Sequence, residues 1–155
     1  MYEKLQKEIK FELAELRKLF DSYRKYFEKS YIEKPEEIEI MALAAILHSF
    51  YTGIEGILKR IAIRVDGSVP LGEIWHSQLL GTMSKPGKNR SKVISDSLEE
   101  KLRHYLNFRH MFRHAYTFHL NWERMEPLVR ECENTFHVFE NELELFLEET
   151  KGKNQ

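Results

Sequence analysis

The sequence predicts an all-α fold, an up-and-down bundle of about five helices that forms one domain over residues 1–155. Three observations predict it. Apolar residues recur in alternating steps of four and three along most of the chain, the spacing of one helix face. The 155 residues include only seven glycines and four prolines, too few for a turn-rich β fold. Hydrophobic residues make up 42%, enough for a substantial core at this length.

The first helix carries an apolar stripe that ends before Lys34-Pro35, because proline disfavours helical geometry in the residue that precedes it. The second helix is predicted over residues 36–65, before the turn signal Asp66-Gly67. A shorter helix is predicted over residues 71–83. The stripe of the first helix consists of Ile9, Leu13, Leu16, Phe20, Tyr23 and Phe27.

Residues 81–95 are predicted to form an exposed connection, either in contact with an RNA backbone or simply solvated. Ser97, followed three residues later by Glu100, is a capping-box pattern and predicts the start of the fourth helix. The fifth helix is predicted over residues 123–149. The connection carries four cations: Lys85, Lys88, Arg90 and Lys92.

Composition excludes several classes of protein. The formal net charge is −1, so a global basic field for nucleic acid is absent. The one cysteine, Cys132, can form neither an internal disulfide nor a cysteine-based zinc site, and its apolar neighbours suggest a buried thiol. The charged opening from Met1 to Lys10 is unlike a signal peptide, and no uninterrupted apolar run approaches the roughly 18 residues of a membrane span. We therefore expect a cytoplasmic protein with no membrane partner.

The residues that can carry chemistry concentrate between Arg109 and Tyr116. The triplet Phe-Arg-His occurs twice there, which supplies Arg109, His110, Arg113 and His114. Arginine presents a planar fork of donors to phosphate, and histidine moves protons near neutral pH. Together they favour a phosphodiester site that needs neither metal nor cofactor. A solvated helix face or an intersubunit contact is the alternative interpretation.

Two histidine spacings could indicate a metal. His110 and His114 are four residues apart, but no acidic ligand follows on the same helix, although His119 is near. Glu73 and His76 match one Glu-x-x-His pair of a ferritin-like bundle, which needs two such pairs. We therefore predict no metal site, and we expect His76 to pack or to form a hydrogen bond.

Arg109, His114 and Tyr116 match the R-x4-H-x-Y motif of HepT-like proteins, a branch of the HEPN family, and the chain resembles that branch. His110 fits as the polar residue after the motif arginine. A second stretch, from Leu47 to Ala62, is similar to the long helix of these proteins. The resemblance extends over residues 38–129.

This resemblance implies a helical bundle that forms a homodimer with a cleft shared by the two subunits. It implies a metal-independent endoribonuclease, the toxin of a toxin–antitoxin pair whose antitoxin is a minimal nucleotidyltransferase. Arg109 and His114 would be catalytic, and His110, Arg113 and Tyr116 would support them. Tyr116 would also be the residue that the antitoxin modifies with AMP.

In an unbroken helix, His114 lies about 140° around the axis from Arg109. The two would then not converge on one phosphate within one chain, which favours a dimeric site or a local distortion near His114. Tyr116, in contrast, would share the face of Arg109.

His48, Tyr51 and Glu55 share one face of the second helix. They either border the cleft or form a buried hydrogen-bonded set. Two other functions stay open: a non-catalytic HEPN module that binds nucleotide, nucleic acid or a nucleotidyltransferase, and a purely structural helical dimer.

Overall fold

A computed structural model describes residues 2–114, 116 and 119–153. It confirms the all-α fold, since these residues form helices and connections with no β-strand. A short π-helical turn, Ala62–Asp66, continues directly from the second helix. The helices are α1 (Tyr2–Ile32), α2 (Glu37–Ile61), α3 (Trp75–Met83), α4 (Asp96–His114) and α5 (Trp122–Lys153).

Helix α2 is the centre of the bundle, because it contacts each of the other four helices. Aromatic rings join it to its neighbours: Phe50 lies 5.8 Å from Phe20 of α1 and 5.2 Å from Tyr105 of α4, measured between ring centroids. Phe20 in turn lies 5.4 Å from Phe136 of α5. A helix surrounded in this way is apolar on most sides.

The central helix is also the most apolar segment of the chain that the structure describes as helical, which concerns the prediction about membranes. Between Glu37 and Asp66, an 18-residue window has a mean hydropathy of 1.4, which is long and apolar enough to cross a membrane. This window is not an uninterrupted apolar run, because polar residues such as His48 and Glu55 lie within it, but its average hydropathy stays high. Half of this window is buried inside the bundle, as in a central core helix.

Helix α3 begins at Trp75, four residues later than predicted. Two further details of the helices differ from the predictions. Tyr23 is 42% exposed, although it was placed in the apolar stripe, because the backbone of α1 leaves helical geometry there (φ −117°, ψ 18°). Helix α4 is capped by Ser95 and not by Ser97: the Ser95 hydroxyl oxygen accepts a hydrogen bond from the Leu98 amide at 3.1 Å. Glu142 of α5 holds Ser95 in this position, because its carboxylate accepts hydrogen bonds from the Ser95 hydroxyl and amide.

The connection between α3 and α4 is not uniformly exposed. The side chain of Arg90 is only 2% exposed, and it donates to both carboxylate oxygens of Asp66 at 2.7 and 2.9 Å. It also donates to the Lys85 carbonyl at 2.9 Å. Lys85, Lys88 and Lys92 are exposed as predicted. Arg90 therefore joins the connection to the π-helical turn that follows α2, and its guanidinium is already paired.

Cys132 is buried as expected, and burial raises the pKa of its thiol well above the ordinary value.

Two glycines of α2 offer a matched test of the packing between α1 and α2. A Cβ added at Gly53 would lie 2.7 Å from the Leu16 side chain, whereas one added at Gly56 would meet nothing within 4 Å. We predict that Gly53→Ala lowers the free energy of unfolding, because overpacking costs about 1–3 kcal/mol and exceeds the helix-propensity gain. Gly56→Ala should raise it by about 0.5–1 kcal/mol. Urea denaturation checks both signs; equal effects of the two substitutions would contradict the packing.

Candidate functional site

A cleft of about 360 Å³ lies between the start of α3 and the C-terminal half of α4, and we call it the α3–α4 cleft. It brings together four of the residues that the sequence singled out for chemistry. Its walls are formed by Glu73, Ile74, His76, Ser77, Leu106, Asn107, Arg109, His110, Arg113 and His114.

Arg109 is the most buried of these cations, with a side chain only 4% exposed. Its Nη2 donates to Glu55 Oε2 at 2.9 Å, and the Glu55 side chain is itself 9% exposed. Its Nη1 lies 3.4 Å from the Thr52 hydroxyl oxygen. The guanidinium carbon is 4.9 Å from the centre of the Tyr51 ring, in cation–π contact. Arg109 therefore occupies the apolar stripe of α4 because α2 supplies it with a carboxylate and an aromatic face.

His76 of α3 completes this cluster. Its Nδ1 lies 2.8 Å from Glu55 Oε2 and 3.0 Å from Arg109 Nη2. The expectation that His76 forms a hydrogen bond is thus confirmed. Its side chain is 32% exposed and faces the α3–α4 cleft. One carboxylate oxygen of α2 consequently holds a residue of α3 and a residue of α4.

Of the three α2 residues that were weighed as cleft or core, Tyr51 and Glu55 are buried and His48 is half-buried. Burial raises the pKa of Tyr51, with a further rise from Glu55 that Arg109 opposes. None of the three forms the wall of the α3–α4 cleft. Tyr51 and Glu55 are thus buried, as one alternative held, but the three side chains do not form one hydrogen-bonded set: Glu55 is hydrogen bonded to other helices, and the Tyr51 ring lies under the Arg109 guanidinium.

His48 belongs to a different part of the surface, beside α1. It accepts a 3.3 Å hydrogen bond from Arg113 Nε, and its ring centroid is 5.6 Å from that of Phe112. Its pKa is lowered, first by burial and then by the charges of Arg113 and Arg109. His48 therefore lies outside the α3–α4 cleft, in surroundings that disfavour its charged form.

His110 and His114 are exposed and line the cleft, with ring centroids 4.6 Å apart. Helix α4 is unbroken from Asp96 to His114, so no distortion separates Arg109 from His114 within it. Both residues nevertheless line one cleft, contrary to the expectation from the helical angle. Helical side chains lean toward the N-terminal turn, which brings the His114 ring back beside His110.

Tyr116 does not share the face of Arg109, because α4 ends at His114. It is 71% exposed, and its backbone carbonyl accepts a 3.0 Å hydrogen bond from the His119 amide. Its ring centroid is 6.0 Å from that of His119. Tyr116 lies two residues beyond His114 in the chain and is not part of the cleft wall.

Within residues 2–114, 116 and 119–153, no three histidine, cysteine, aspartate or glutamate side chains are grouped so that they could hold a metal ion. Glu73 and His76, the pair that suggested a ferritin-like site, both line the cleft, but His76 bonds to Glu55. Sequence reasoning missed this pairing because 21 residues separate the two side chains.

The comparisons with known proteins agree with this architecture. The sequence model of a family described as HepT-like protein matches residues 42–150. No curated protein and no solved structure matches the chain. The match covers α2 to α5 almost completely, including every residue of the α3–α4 cleft. The chain therefore belongs to the HepT-like family, a branch of the HEPN proteins.

The burial of Arg109 changes what its removal should do. A substitution of an exposed catalytic residue would leave the fold intact, but the structure puts the Arg109 side chain in a buried ion pair. We now predict that Arg109→Ala lowers the free energy of unfolding by about 3–5 kcal/mol, because it leaves the Glu55 carboxylate buried without its cation. Arg113→Ala, an exposed arginine of the same helix, should change it by about 0.5 kcal/mol or less. Urea denaturation measures the free energy of unfolding of both variants. Equal values for Arg109→Ala and Arg113→Ala would show that Arg109 does not form the buried ion pair.

Proposed function

We propose that this chain is a metal-independent endoribonuclease, the toxin of a toxin–antitoxin pair whose antitoxin is a minimal nucleotidyltransferase. The observation that carries the proposal is the α3–α4 cleft, where Arg109 and His114 line one cavity together with His110 and Arg113. HepT-like family membership supports the same reaction. RNA is the substrate, the active form is a homodimer, and the protein acts in the cytoplasm.

The reaction uses the RNA 2′-hydroxyl as its own nucleophile. The 2′-oxygen attacks the adjacent phosphorus, the bond to the 5′-oxygen breaks, and a 2′,3′-cyclic phosphate remains. His114 moves a proton as general acid or base, a contribution of typically about 10²–10⁴-fold. The cations Arg109 and Arg113 stabilise negative charge on the phosphate in the transition state. His110, beside His114, assists the proton transfer.

A non-catalytic function has one observation in its favour. The Arg109 guanidinium is 4% exposed and already paired with Glu55, so much of its charge is compensated inside the protomer. A cleft of that kind suits the binding of nucleotide, nucleic acid or a nucleotidyltransferase partner without chemistry. Turnover of RNA separates the two functions.

The first test is digestion of single-stranded RNA in the presence of EDTA. We predict cleavage by the wild type and a loss of about 10²–10⁴-fold in His114→Ala, because the cleft loses a group that transfers protons. His104→Ala is the matched control, since His104 is an exposed histidine of the same helix outside the cleft. Loss of wild-type cleavage on chelation, or full activity of His114→Ala, would contradict the proposal.

The second test concerns Tyr116, which we propose as the residue that the antitoxin modifies with AMP. Its side chain is 71% exposed, so a second enzyme can reach the phenol. An AMP group attached two residues beyond His114 would place a phosphate and a base at the cleft and compete with RNA for its cations. We predict an intact mass increased by AMP after co-expression with the adjacent nucleotidyltransferase gene, and no increase in Tyr116→Phe.

Tyr31→Phe serves as the control for that measurement, because Tyr31 is another exposed tyrosine, on α1. An adduct that persists in Tyr116→Phe, or inhibition of the wild type without any adduct, would remove Tyr116 from this role.

A further inference from the structure

His76 is anchored more firmly than the other two histidines of the α3–α4 cleft. Its Nδ1 is 2.8 Å from Glu55 Oε2, and its ring packs on that of Trp75 with centroids 3.8 Å apart. His110 and His114, in contrast, are exposed at the surface of α4. Catalytic groups work best when packing and hydrogen bonds fix their orientation, and His76 has both.

The contact of His76 with the Glu55 carboxylate indicates which ring nitrogen carries the proton. If Nδ1 carries the proton, it donates to Glu55 Oε2, which also accepts from Arg109 Nη2 at 2.9 Å. In the other tautomer, the Nδ1 lone pair would accept from Arg109 Nη2 at 3.0 Å, but it would lie against the lone pairs of the carboxylate oxygen at the shorter distance of 2.8 Å. We therefore assign the proton to Nδ1, which leaves the lone pair of the neutral ring on Nε2.

The same carboxylate places this imidazole beside the cation that would bind phosphate. His76 Nδ1 and Arg109 Nη2 are 3.0 Å apart, and both residues line the cleft, as does His114. A carboxylate behind a histidine fixes its orientation and stabilises the imidazolium that forms when the ring takes up a proton. A phosphodiester near Arg109 would thus have an oriented base at hand.

We propose that His76 is a catalytic residue, the general base of the ribonuclease reaction, with Glu55 as its positioning residue and His114 as the general acid. This assignment rests on the proposed function. It divides the two proton transfers, which His114 would otherwise perform alone, between two histidines. His76 Nε2 takes the proton of the 2′-hydroxyl as the bond between the 2′-oxygen and phosphorus forms. His114 gives its proton to the 5′-oxygen as the bond from phosphorus to that oxygen breaks. The products are a cyclic phosphate, a 5′-hydroxyl, a protonated His76 and a neutral His114.

The decisive variant is His76→Asn. The asparagine side-chain nitrogen takes the place of Nδ1, so it can still donate to Glu55 and leave Arg109 in position, but nothing replaces Nε2. We expect cleavage of a labelled single-stranded RNA to fall about 10²–10⁴-fold. Binding of the same RNA with 2′-methoxy groups, which cannot be cleaved, should stay at the wild-type level. His104→Asn is the matched control and should be fully active.

A sulfur substitution separates the base from the acid. An RNA with sulfur in place of the 5′-oxygen at the cleaved linkage has a leaving group that needs no proton. His114→Ala should recover most of its lost rate on this RNA, whereas His76→Asn should stay impaired on both substrates.

Four results would overturn the inference. Wild-type activity in His76→Asn would show that His76 only positions Arg109, while the ribonuclease itself would stand. A loss of RNA binding equal to the loss of cleavage would show a purely structural role. Recovery of His76→Asn by the sulfur substrate would make His76 the acid. Absence of cleavage by the wild type in the same assay would end the proposed function and this assignment with it.

Discussion

A carboxylate inside an apolar helix must be compensated, and Glu55 is such a group at the centre of this bundle. Removing a carboxylate from water costs several kcal/mol unless cations and hydrogen-bond donors surround it. Glu55 obtains both from one arginine and one histidine, Arg109 and His76, which lie on different helices. At the α3–α4 cleft, one oxygen atom of α2 is therefore bonded to α3 and to α4.

This arrangement links stability to the site. The Arg109 guanidinium offsets the buried charge, and the same group forms part of the cleft wall. A residue with both tasks is constrained more than an exposed one such as Arg113, whose contact with His48 is a 3.3 Å hydrogen bond near the surface. The carboxylate also orients His76, so the chemistry that we propose for the cleft depends on a group that never lines it.

Much of the fold could be predicted from the sequence, because apolar spacing is a local property and some helix ends, such as that of α1 shortly before Pro35, follow local signals. The cap of α4 could not be predicted in this way, because it depends on a hydrogen bond from Ser95 to Glu142, which is distant in the sequence. The apolar stripe of α4 did indicate that Arg109 is unusual, and the HepT-like motif marked the right helix. Its pairing with Glu55 and His76 depends on tertiary packing. No glycine or proline marks the end of α4 at His114. Tyr116 was therefore wrongly predicted to continue the helix on the face of Arg109.

The central claim is that Glu55 and Arg109 are energetically coupled, and a double-mutant cycle measures this directly. The free energies of unfolding of the wild type, Glu55→Met, Arg109→Met and the double variant are obtained by urea denaturation. Each single variant leaves one buried charge, whereas the double variant leaves none, so it should be more stable than the sum of the two losses predicts by about 2 kcal/mol or more. Losses that add within about 0.5 kcal/mol would show that the two side chains do not interact, and would contradict the account.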